Sequence, residues 1–422
     1  MDWQSLGIVS GSALLGVAGL QAIGAIYAIR KQLRRSRERC TTRQQTFDSQ
    51  LATELQWARA AKPVLKAWPE TRPFKVAAVV DEAIDCKSFY LVPEDGRPLP
   101  RFEPGQFLTF HLPVDPRQKP LVRCYSLSER PREDYYRVTI KRARRPNSQP
   151  QAPDGVASSY FHERVRVGTT LQVQAPQGAF FLDPTEKSPI VLIGAGIGIT
   201  PILSIMNTLR HERTDQQAYV FAGFGNSAEH PFRQHIDEVE SSSENISVDT
   251  SYSRPSADDQ LGHDFDHHGY VNVERLRLQL PSNNFRFYLC GPGGMMETLV
   301  PALREWGVPD SHIHFEAFGP ASVKSVNVTR TLEDIAKGPC HVEFLLAEAS
   351  LAWDNGDDSL LEFAERQGVP LEYGCRAGNC GQCLVSVKQG TVEHVKEPGM
   401  PLEANQCLTC IGVPRGDVVL EA

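Results

Sequence analysis

The fold of the C-terminal part is decided by the stretch Cys375-Arg-Ala-Gly-Asn-Cys380-Gly-Gln-Cys383. Three cysteines spaced C-x4-C-x2-C, completed by one distant cysteine, can supply the four thiolates that hold a [2Fe–2S] cluster. Glycines at positions 374, 378 and 381 let the backbone pass close to the sulfur atoms, because they have no Cβ to clash. The loop therefore predicts an iron–sulfur site.

Over roughly the last fifth of its length the chain resembles the plant-type ferredoxins. The closing Leu-Thr-Cys of that family stands here as Leu408-Thr409-Cys410. The resemblance therefore gives the cluster ligands as Cys375, Cys380, Cys383 and Cys410. We expect a β-grasp domain over residues 338–422, with strands at 341–346, near 351, at 384–388 and at 417–420, and a helix at 359–367.

Two other cysteine chemistries compete with the cluster. The pairs Cys380/Cys383 and Cys407/Cys410 have the spacing of a four-cysteine zinc site, but zinc would leave Cys375 and the glycines without a role. A disulfide framework is typical of cysteine-dense secreted domains, whereas this chain has 10 cysteines in 422 residues. The cluster is the favoured interpretation, and zinc is the alternative.

The composition is that of an ordinary globular protein, since 41% of the residues are hydrophobic and 23% are charged. A chain of 422 residues is long enough for two or three domains with cores of their own. The formal net charge of −7 argues against nucleic acid as a partner.

The N-terminus differs from the rest, because residues 7–29 carry no charge and are numerous enough to span a bilayer. Asp2 precedes this segment, and a basic cluster follows it, formed by Arg30, Lys31, Arg34, Arg35, Arg37 and Arg39. The positive-inside rule then predicts a single-pass membrane protein with cytoplasmic globular domains. We expect a transmembrane anchor at 1–29 and a basic juxtamembrane stalk at 30–70. A buried helix or an interfacial anchor is the alternative.

Residues 71–185 contain short strand-like runs separated by proline and glycine, such as Lys75-Val-Ala-Ala-Val-Val80, Gln106-Phe-Leu-Thr-Phe-His111 and Tyr136-Arg-Val-Thr-Ile-Lys141. Repeated short strands predict a small antiparallel β-barrel. The segment also carries the motifs Pro104-Gly-Gln-Phe107, Arg123-Cys-Tyr-Ser-Leu-Ser128, Gly155-Val-Ala-Ser158 and Gly178-Ala-Phe-Phe181. In these motifs the chain resembles the ferredoxin–NADP reductase family, and most closely the reductase domain of flavohaemoglobins.

That resemblance implies a flavin-binding barrel. Arg123 would meet the flavin phosphate, Tyr125 would pack on the isoalloxazine, and the Ser126 hydroxyl would face N5. Gly155 and Ser158 would add donors to the diphosphate at the start of a short helix. The other expected flavin contacts are Phe107, Lys141 and Phe318. FAD is favoured over FMN because Phe318 is followed by Gly319 and Pro320.

Residues 186–320 predict a second fold, a doubly wound parallel α/β sheet. The apolar strand at 189–193 is followed by Gly194-Ala-Gly-Ile-Gly-Ile-Thr-Pro201 and by a helix through Leu209. Strands at 218–223, 247–253 and 285–291 then alternate with helices that start at Ala228, Val271 and Gly293. Strand, glycine turn and helix together predict a dinucleotide site, with contacts from Gly194, Gly196, Gly198, Thr200 and Pro201.

Two further segments resemble the nicotinamide half of the ferredoxin–NADP reductases. In Leu289-Cys-Gly-Pro-Gly-Gly-Met-Met296 the resemblance places Cys290 beside the nicotinamide, with Gly291 and Pro292 also in contact. The alternative is an ordinary buried cysteine at a strand end. In His314-Phe-Glu-Ala-Phe-Gly-Pro320 the resemblance places Phe318 against the flavin and Glu316 close by. The expected catalytic residues are Ser126, Cys290 and Glu316.

The choice between NADH and NADPH rests on few residues. Arg254, in Tyr252-Ser-Arg-Pro255, could pair with the 2′-phosphate of NADPH. Asn226 and Glu229 lie near the relevant strand end, although neither clearly marks a free 2′-hydroxyl. Ser-Arg-Pro also occurs in relatives that use NADH, and we therefore favour NADH.

The order of the three parts, joined by a linker at 321–337, resembles oxygenase reductases of the phthalate dioxygenase reductase type. A flavin can take the electron pair of a hydride and release electrons singly to a [2Fe–2S] cluster. The resemblance therefore predicts an NAD(P)H-dependent flavoprotein oxidoreductase that serves an oxygenase, hydroxylase or desaturase. The alternatives are a subunit of a respiratory NADH–quinone reductase, in which the ferredoxin part comes first, and a cluster-based redox sensor.

Overall fold

The structure is a computed structural model that describes residues 68, 70–117, 119–145, 151, 153–317, 340–353, 357–376, 378, 381–395, 398 and 402–422. Within these residues the strands form two six-stranded sheets, one five-stranded sheet and a two-stranded ribbon.

The first sheet is the antiparallel barrel that the short strand-like runs predict. Its strands are β1 (Thr71–Ala83), β2 (Cys86–Pro93), β3 (Phe107–Leu112), β4 (Leu121–Ser126), β5 (Tyr136–Lys141) and β6 (Thr170–Gln177), in the order β4-β3-β6-β1-β2-β5. A bridge between Leu127 and Val138 joins the two outer strands and closes the barrel. Helix α1 (Val156–Arg164) places the Phe161 ring 5.2 Å from that of Phe89 and 5.3 Å from that of Phe110. These buried aromatic rings form the core beneath β3 and β4.

The second sheet is parallel and is covered on both faces. It contains β7 (Ile190–Ala195), β8 (Ala218–Phe224), β9 (Ile246–Tyr252), β10 (His267–His268), β11 (Arg286–Gly291) and β12 (Ile313–Ala317), in the order β10-β9-β8-β7-β11-β12. The helices are α2 (Ile199–Glu212), α3 (Arg233–Ser241), α4 (Val273–Gln279) and α5 (Gly293–Glu305). Along β7, Ile190 and Leu192 belong to one buried cluster and Val191 and Ile193 to another, because successive side chains point to opposite faces.

The strand order of this sheet reverses between β7 and β11. From β7 the chain moves outward through β8, β9 and β10, and then returns to the other side of β7 at β11. In open α/β sheets, ligands bind outside the carboxyl ends of the strands at such a switch point. The Gly194–Gly198 turn, residues 194–198, lies at this point.

One predicted helix of this sheet differs from the structure. Instead of a helix from Ala228, the chain forms a single 3₁₀ turn over Ser227–Glu229, and α3 begins only at Arg233. The Asn226 side chain caps the turn by accepting the N–H groups of Ala228 and Glu229. Pro231 disfavours the helical conformation at the residue before it, and this separates the turn from α3.

The third sheet is mixed and has the β-grasp pattern. It contains β13 (Cys340–Phe344), β14 (Ala349–Trp353), β15 (Leu384–Gln389), β17 (Gln406–Leu408) and β19 (Val418–Glu421), in the order β14-β13-β19-β15-β17. Strands β16 (Val392–His394) and β18 (Gly412–Pro414) form the ribbon. Ser359 caps the N-terminus of helix α6 (Leu360–Arg366), where its side chain accepts the N–H of Glu362 at 3.2 Å. The helix buries Phe363 against Trp353 and Phe344.

A buried polar joint connects the barrel to the parallel sheet. The backbone carbonyl of Glu129, just after β4, accepts the Ser204 hydroxyl at 2.8 Å, and its Oε1 accepts Asn207 Nδ2 at 3.0 Å. Burial alone would raise the pKa of Glu129, but the buried Arg137 guanidinium, 3.5 Å away, and a backbone N–H outweigh burial and lower it. Because Ser204 and Asn207 belong to α2, the joint fixes the dinucleotide turn relative to β4.

The predicted transmembrane helix and single-pass membrane localisation are corrected here. Among the described residues, no helix is long and apolar enough to cross a membrane. The longest of them, α2, has 14 residues and would reach only about 21 Å, against a hydrocarbon core of about 30 Å. Of the predicted anchor at 1–29 and stalk at 30–70, only Trp68 and Glu70 are among the described residues.

Candidate functional site

Strand β4 places Arg123, Tyr125 and Ser126 on one continuous segment beside β3. Ser126 is 5% exposed, and its hydroxyl has no hydrogen-bond partner among the described residues. Leaving a buried hydroxyl unsatisfied costs about 1–3 kcal/mol, so this atom fits a site that a ligand completes. A flavin ring nitrogen is such a partner.

The neighbours of Ser126 form a closely packed aromatic wall. The Tyr125 ring lies 5.8 Å from that of Phe110 and 5.3 Å from that of Phe161, both in edge contact. Burial raises the pKa of Tyr125 far above its usual value, so the phenol stays neutral. Phe107 is paired with Ser126 in the sheet, and a Cβ on Gly178 would lie 2.8 Å from the Phe107 ring. Gly178 has φ of +125°, and both facts require glycine there.

The predicted phosphate turn is built by Gly155 and Ser158. The Ser158 hydroxyl donates to the Gly155 carbonyl at 3.0 Å and accepts the Ala143 N–H at 3.0 Å. It therefore holds the turn in shape. Gly155 provides no side-chain cap for α1, which leaves the first N–H groups of the helix available to an anion. This arrangement fits a diphosphate.

The dinucleotide turn packs directly on the end of β11. A Cβ on Gly198 would lie 2.3 Å from the Cys290 carbonyl oxygen, so only glycine allows this approach. Gly196 has φ of +54°, a left-handed conformation that glycine adopts without strain. The Thr200 hydroxyl donates to the Ile197 carbonyl at 2.9 Å, and Pro201 occupies the first turn of α2. The open backbone at the switch point fits a dinucleotide.

Cys290 is fully buried between the neighbouring strands. It is paired with Gly194 of β7 on one side and with Glu316 of β12 on the other. Burial, with a smaller effect of the Glu316 charge, raises the pKa of the Cys290 thiol well above its usual value. Gly291 ends β11, and Pro292 precedes the first residue of α5. The structure thus brings Gly194, Cys290 and Glu316 together at the carboxyl edge of the sheet.

Lys141 and Arg254, the two cations expected to contact the cofactors, are both paired with one acidic residue. Both form ion pairs with Glu229, at 3.4 Å from Lys141 Nζ and at 3.3 Å from Arg254 Nη2. Phe318, the expected shield of the flavin, lies outside the described residues.

Two of the expected cluster ligands are in contact, one from the cluster loop that carries Cys375 and Cys383 and one from the segment after β17. Cys383 Sγ and Cys410 Sγ are 3.2 Å apart, and the Gly378 N–H points to Cys410 Sγ at 3.3 Å. Gly378 has φ of +72°, and a Cβ there would lie 2.5 Å from Ile411. Sulfur atoms that converge beside a backbone donor fit an iron–sulfur cluster. Cys375 lies in the same loop, and Cys380 lies outside the described residues.

Cys407, which the zinc alternative requires, lies elsewhere. It is fully buried with Trp353 and Phe363 in the β-grasp core, and burial raises its pKa to about 12. Cys383 and Cys410 belong to a separate cluster with Leu408 and Ile411. The structure therefore favours Cys410 over Cys407 as a cluster ligand.

Strand β4, which carries the candidate flavin-binding residues, contacts the cluster loop. Arg123 Nη1 donates to the Gly374 carbonyl at 2.9 Å and to the Val122 carbonyl at 2.7 Å. Nearby, Lys119 forms an ion pair with Glu372. Sequence reasoning missed this contact, because nothing local marks a hydrogen bond between residues 251 positions apart.

Comparison with known proteins identifies the three domains that carry these candidate sites. Family models match an oxidoreductase FAD-binding domain at residues 80–182, an oxidoreductase NAD-binding domain at 192–300 and a 2Fe-2S iron-sulfur cluster binding domain at 347–415. A flavohemoprotein of Bacillus cereus is 36% identical over 255 residues, which are 60% of this chain and 62% of the relative. The chain thus spans about three fifths of the length of the curated relatives that it matches.

Two solved structures are similar to this chain. The FAD/NAD-binding domain of nitric oxide dioxygenase from Vibrio cholerae is 32% identical, with a TM-score of 0.52, over 60% of this chain and 100% of that domain. An intact type IV self-sufficient cytochrome P450 monooxygenase is 19% identical, with a TM-score of 0.57, over 83% of this chain and 41% of that one. The second likeness concerns the fold alone.

Replacing Cys410 by Ser should remove the cluster, because the pair with Cys383 is lost. Iron content and the EPR signal of the reduced protein measure this, and we expect both to fall below a tenth of wild type, roughly. The matched control is Cys407→Ser, which should keep its iron. Iron retained in Cys410→Ser and lost in Cys407→Ser would contradict the assignment, and so would stoichiometric zinc.

Replacing Ser126 by Ala should slow hydride transfer to the flavin about tenfold while flavin content stays normal, since one hydrogen bond to the ring is lost. Stopped-flow reduction by NADH measures the rate. Ser88→Ala is the control, because Ser88 is a buried serine of β2 whose hydroxyl is bonded to Thr139 at 2.8 Å, and Thr139 keeps its bond to Ser128. A wild-type rate in Ser126→Ala would disprove the role of Ser126.

Proposed function

We propose, from the premise that this chain belongs to the ferredoxin–NADP reductase superfamily, that it supplies single electrons to an oxygenase, hydroxylase or desaturase. The chain is an NAD(P)H-dependent flavoprotein oxidoreductase whose FAD-binding, NAD-binding and 2Fe-2S domains follow in that order. FAD, when bound, supplies the chemistry that links the two-electron donor NAD(P)H to a one-electron [2Fe–2S] cluster.

The observation that carries the proposal is the hydrogen bond from Arg123 to the Gly374 carbonyl. Gly374 directly precedes the cluster ligand Cys375, and Arg123 lies on the strand that also bears Ser126. A chain that passes electrons internally needs its two centres side by side. This contact brings the two candidate sites together.

In this proposal the side chains position the cofactors and exclude water, and none transfers a proton. Ser126 donates to the flavin ring, Tyr125 packs on it, and the Gly155–Ser158 turn, residues 155–158, holds the diphosphate. Gly194, Gly196 and Gly198 admit the dinucleotide. Buried Cys290 keeps water from the nicotinamide side, with Glu316 beside it. Cys375, Cys383 and Cys410, together with Cys380, hold the cluster.

Two observations support an oxygenase as the acceptor. The FAD/NAD-binding domain that is 32% identical to this chain belongs to a nitric oxide dioxygenase. The cluster domain, matched at 347–415, follows the reductase domains, whereas the respiratory subunit considered as the alternative has it before them.

Delivery to a purified acceptor tests the proposal. The chain is reduced anaerobically with NADH and mixed with the oxygenase that co-purifies from its native cells or, separately, with ubiquinone. We expect the EPR signal of the reduced cluster to disappear when the oxygenase is added anaerobically, and hydroxylated product to form once its substrate and O2 are supplied. The Cys410→Ser variant should accept hydride normally and deliver nothing. Reoxidation by ubiquinone, with no product from the oxygenase, would contradict the proposal.

A further inference from the structure

Glu229 is held between two cations from different parts of the molecule. Its Oε1 lies 3.3 Å from Arg254 Nη2, in the loop after β9, and its Oε2 lies 3.4 Å from Lys141 Nζ, at the end of β5. Arg254 is exposed, whereas Glu229 is 31% exposed. An exposed ion pair contributes only about 0–1 kcal/mol to stability. These two pairs therefore matter for where they hold the Glu229 carboxylate.

The turn that carries Glu229 is fixed on both sides. Asn226 Oδ1 accepts the N–H groups of Ala228 and Glu229 at 3.1 and 3.2 Å. The Ala228 carbonyl accepts the Ile84 N–H of the barrel at 3.0 Å. A Cβ on Gly225 would lie 2.8 Å from Glu229 Oε1, so the carboxylate rests directly on that glycine.

This carboxylate lies at the carboxyl end of the strand next to the dinucleotide turn. Strand β8 pairs with β7, with Gly223 opposite Ala195, and the Glu229 turn follows β8 directly. In dinucleotide-binding α/β sheets, the carboxyl end of the neighbouring strand is where the adenosine ribose is recognised. An acidic residue accepts the free 2′-hydroxyl, and a cation accommodates a 2′-phosphate.

We infer that Glu229 selects NADH over NADPH. Its carboxylate is paired with the guanidinium of Arg254, the group that would otherwise bind a 2′-phosphate. A phosphate monoester carries about −1.5 to −2 charge near pH 7, so the Glu229 carboxylate repels the 2′-phosphate of NADPH. The free 2′-hydroxyl of NADH can instead donate a hydrogen bond to this carboxylate. This inference rests on the proposed function, in which NAD(P)H is the electron donor.

The test uses calorimetric binding of 5′-ADP and 2′,5′-ADP to the purified full chain with its cofactors. Wild type should bind 5′-ADP more tightly. Glu229→Gln should tighten 2′,5′-ADP about tenfold and change 5′-ADP less than about threefold. Adding Arg254→Leu to Glu229→Gln should remove the gain, because the released guanidinium is its source. The ratio of kcat/KM for NADPH and NADH should shift in parallel.

Glu244→Gln is the matched control, since Glu244 is exposed just before β9, at the opposite end of the strands. It should leave both affinities unchanged. Tighter binding of 2′,5′-ADP by wild type, no binding of either nucleotide, or an unchanged ratio in Glu229→Gln would overturn the inference. Failure of both NADH and NADPH to reduce the flavin would instead reject the proposed function, and nucleotide affinities would still decide the role of Glu229.

Discussion

The hydrogen bond from Arg123 to the Gly374 carbonyl connects the two halves of the electron path. A bond from a charged donor is worth about 1.5–3 kcal/mol, more than an exposed ion pair such as Lys119–Glu372. The same arginine is the residue expected to meet the flavin phosphate. In the structure its guanidinium is bonded to the Gly374 and Val122 carbonyls, so it holds the cluster loop against β4.

The barrel and the parallel sheet are joined more firmly than the barrel and the β-grasp domain. The first pair shares the buried joint of Glu129, Arg137 and Asn207, where removing one partner of an ion pair typically costs about 3–5 kcal/mol. The second pair shares the bond from Arg123 and an exposed ion pair. The geometry needed for hydride transfer is thus fixed by buried groups, while the cluster loop is held by contacts near the surface.

Local patterns in the sequence predicted much of this fold. Apolar strands, the glycine turn from Gly194 and the N-cap Ser359 are encoded within a few residues, and the structure has them. Contacts across long separations, such as Arg123 to Gly374 or Lys141 to Glu229, leave no local signal. The helix expected from Ala228 was wrong because Pro231 disfavours the helical conformation at His230, so the turn that Asn226 caps does not continue. The predicted membrane helix is corrected as well, because no helix among the described residues is long and apolar enough to cross a membrane.

The rate at which the cluster is reduced after the flavin tests the central contact most directly. Stopped-flow absorbance after mixing with NADH separates the two events in wild type, Glu372→Lys and the double variant Lys119→Glu/Glu372→Lys. We expect Glu372→Lys to slow cluster reduction about two- to fivefold without changing flavin reduction, and the charge-swapped double variant to restore it. Arg123→Lys keeps the charge but loses the guanidinium that reaches the Gly374 carbonyl, and it should also slow cluster reduction in flavin-loaded protein. Equal cluster reduction rates in all four proteins would contradict docking of the cluster loop on β4.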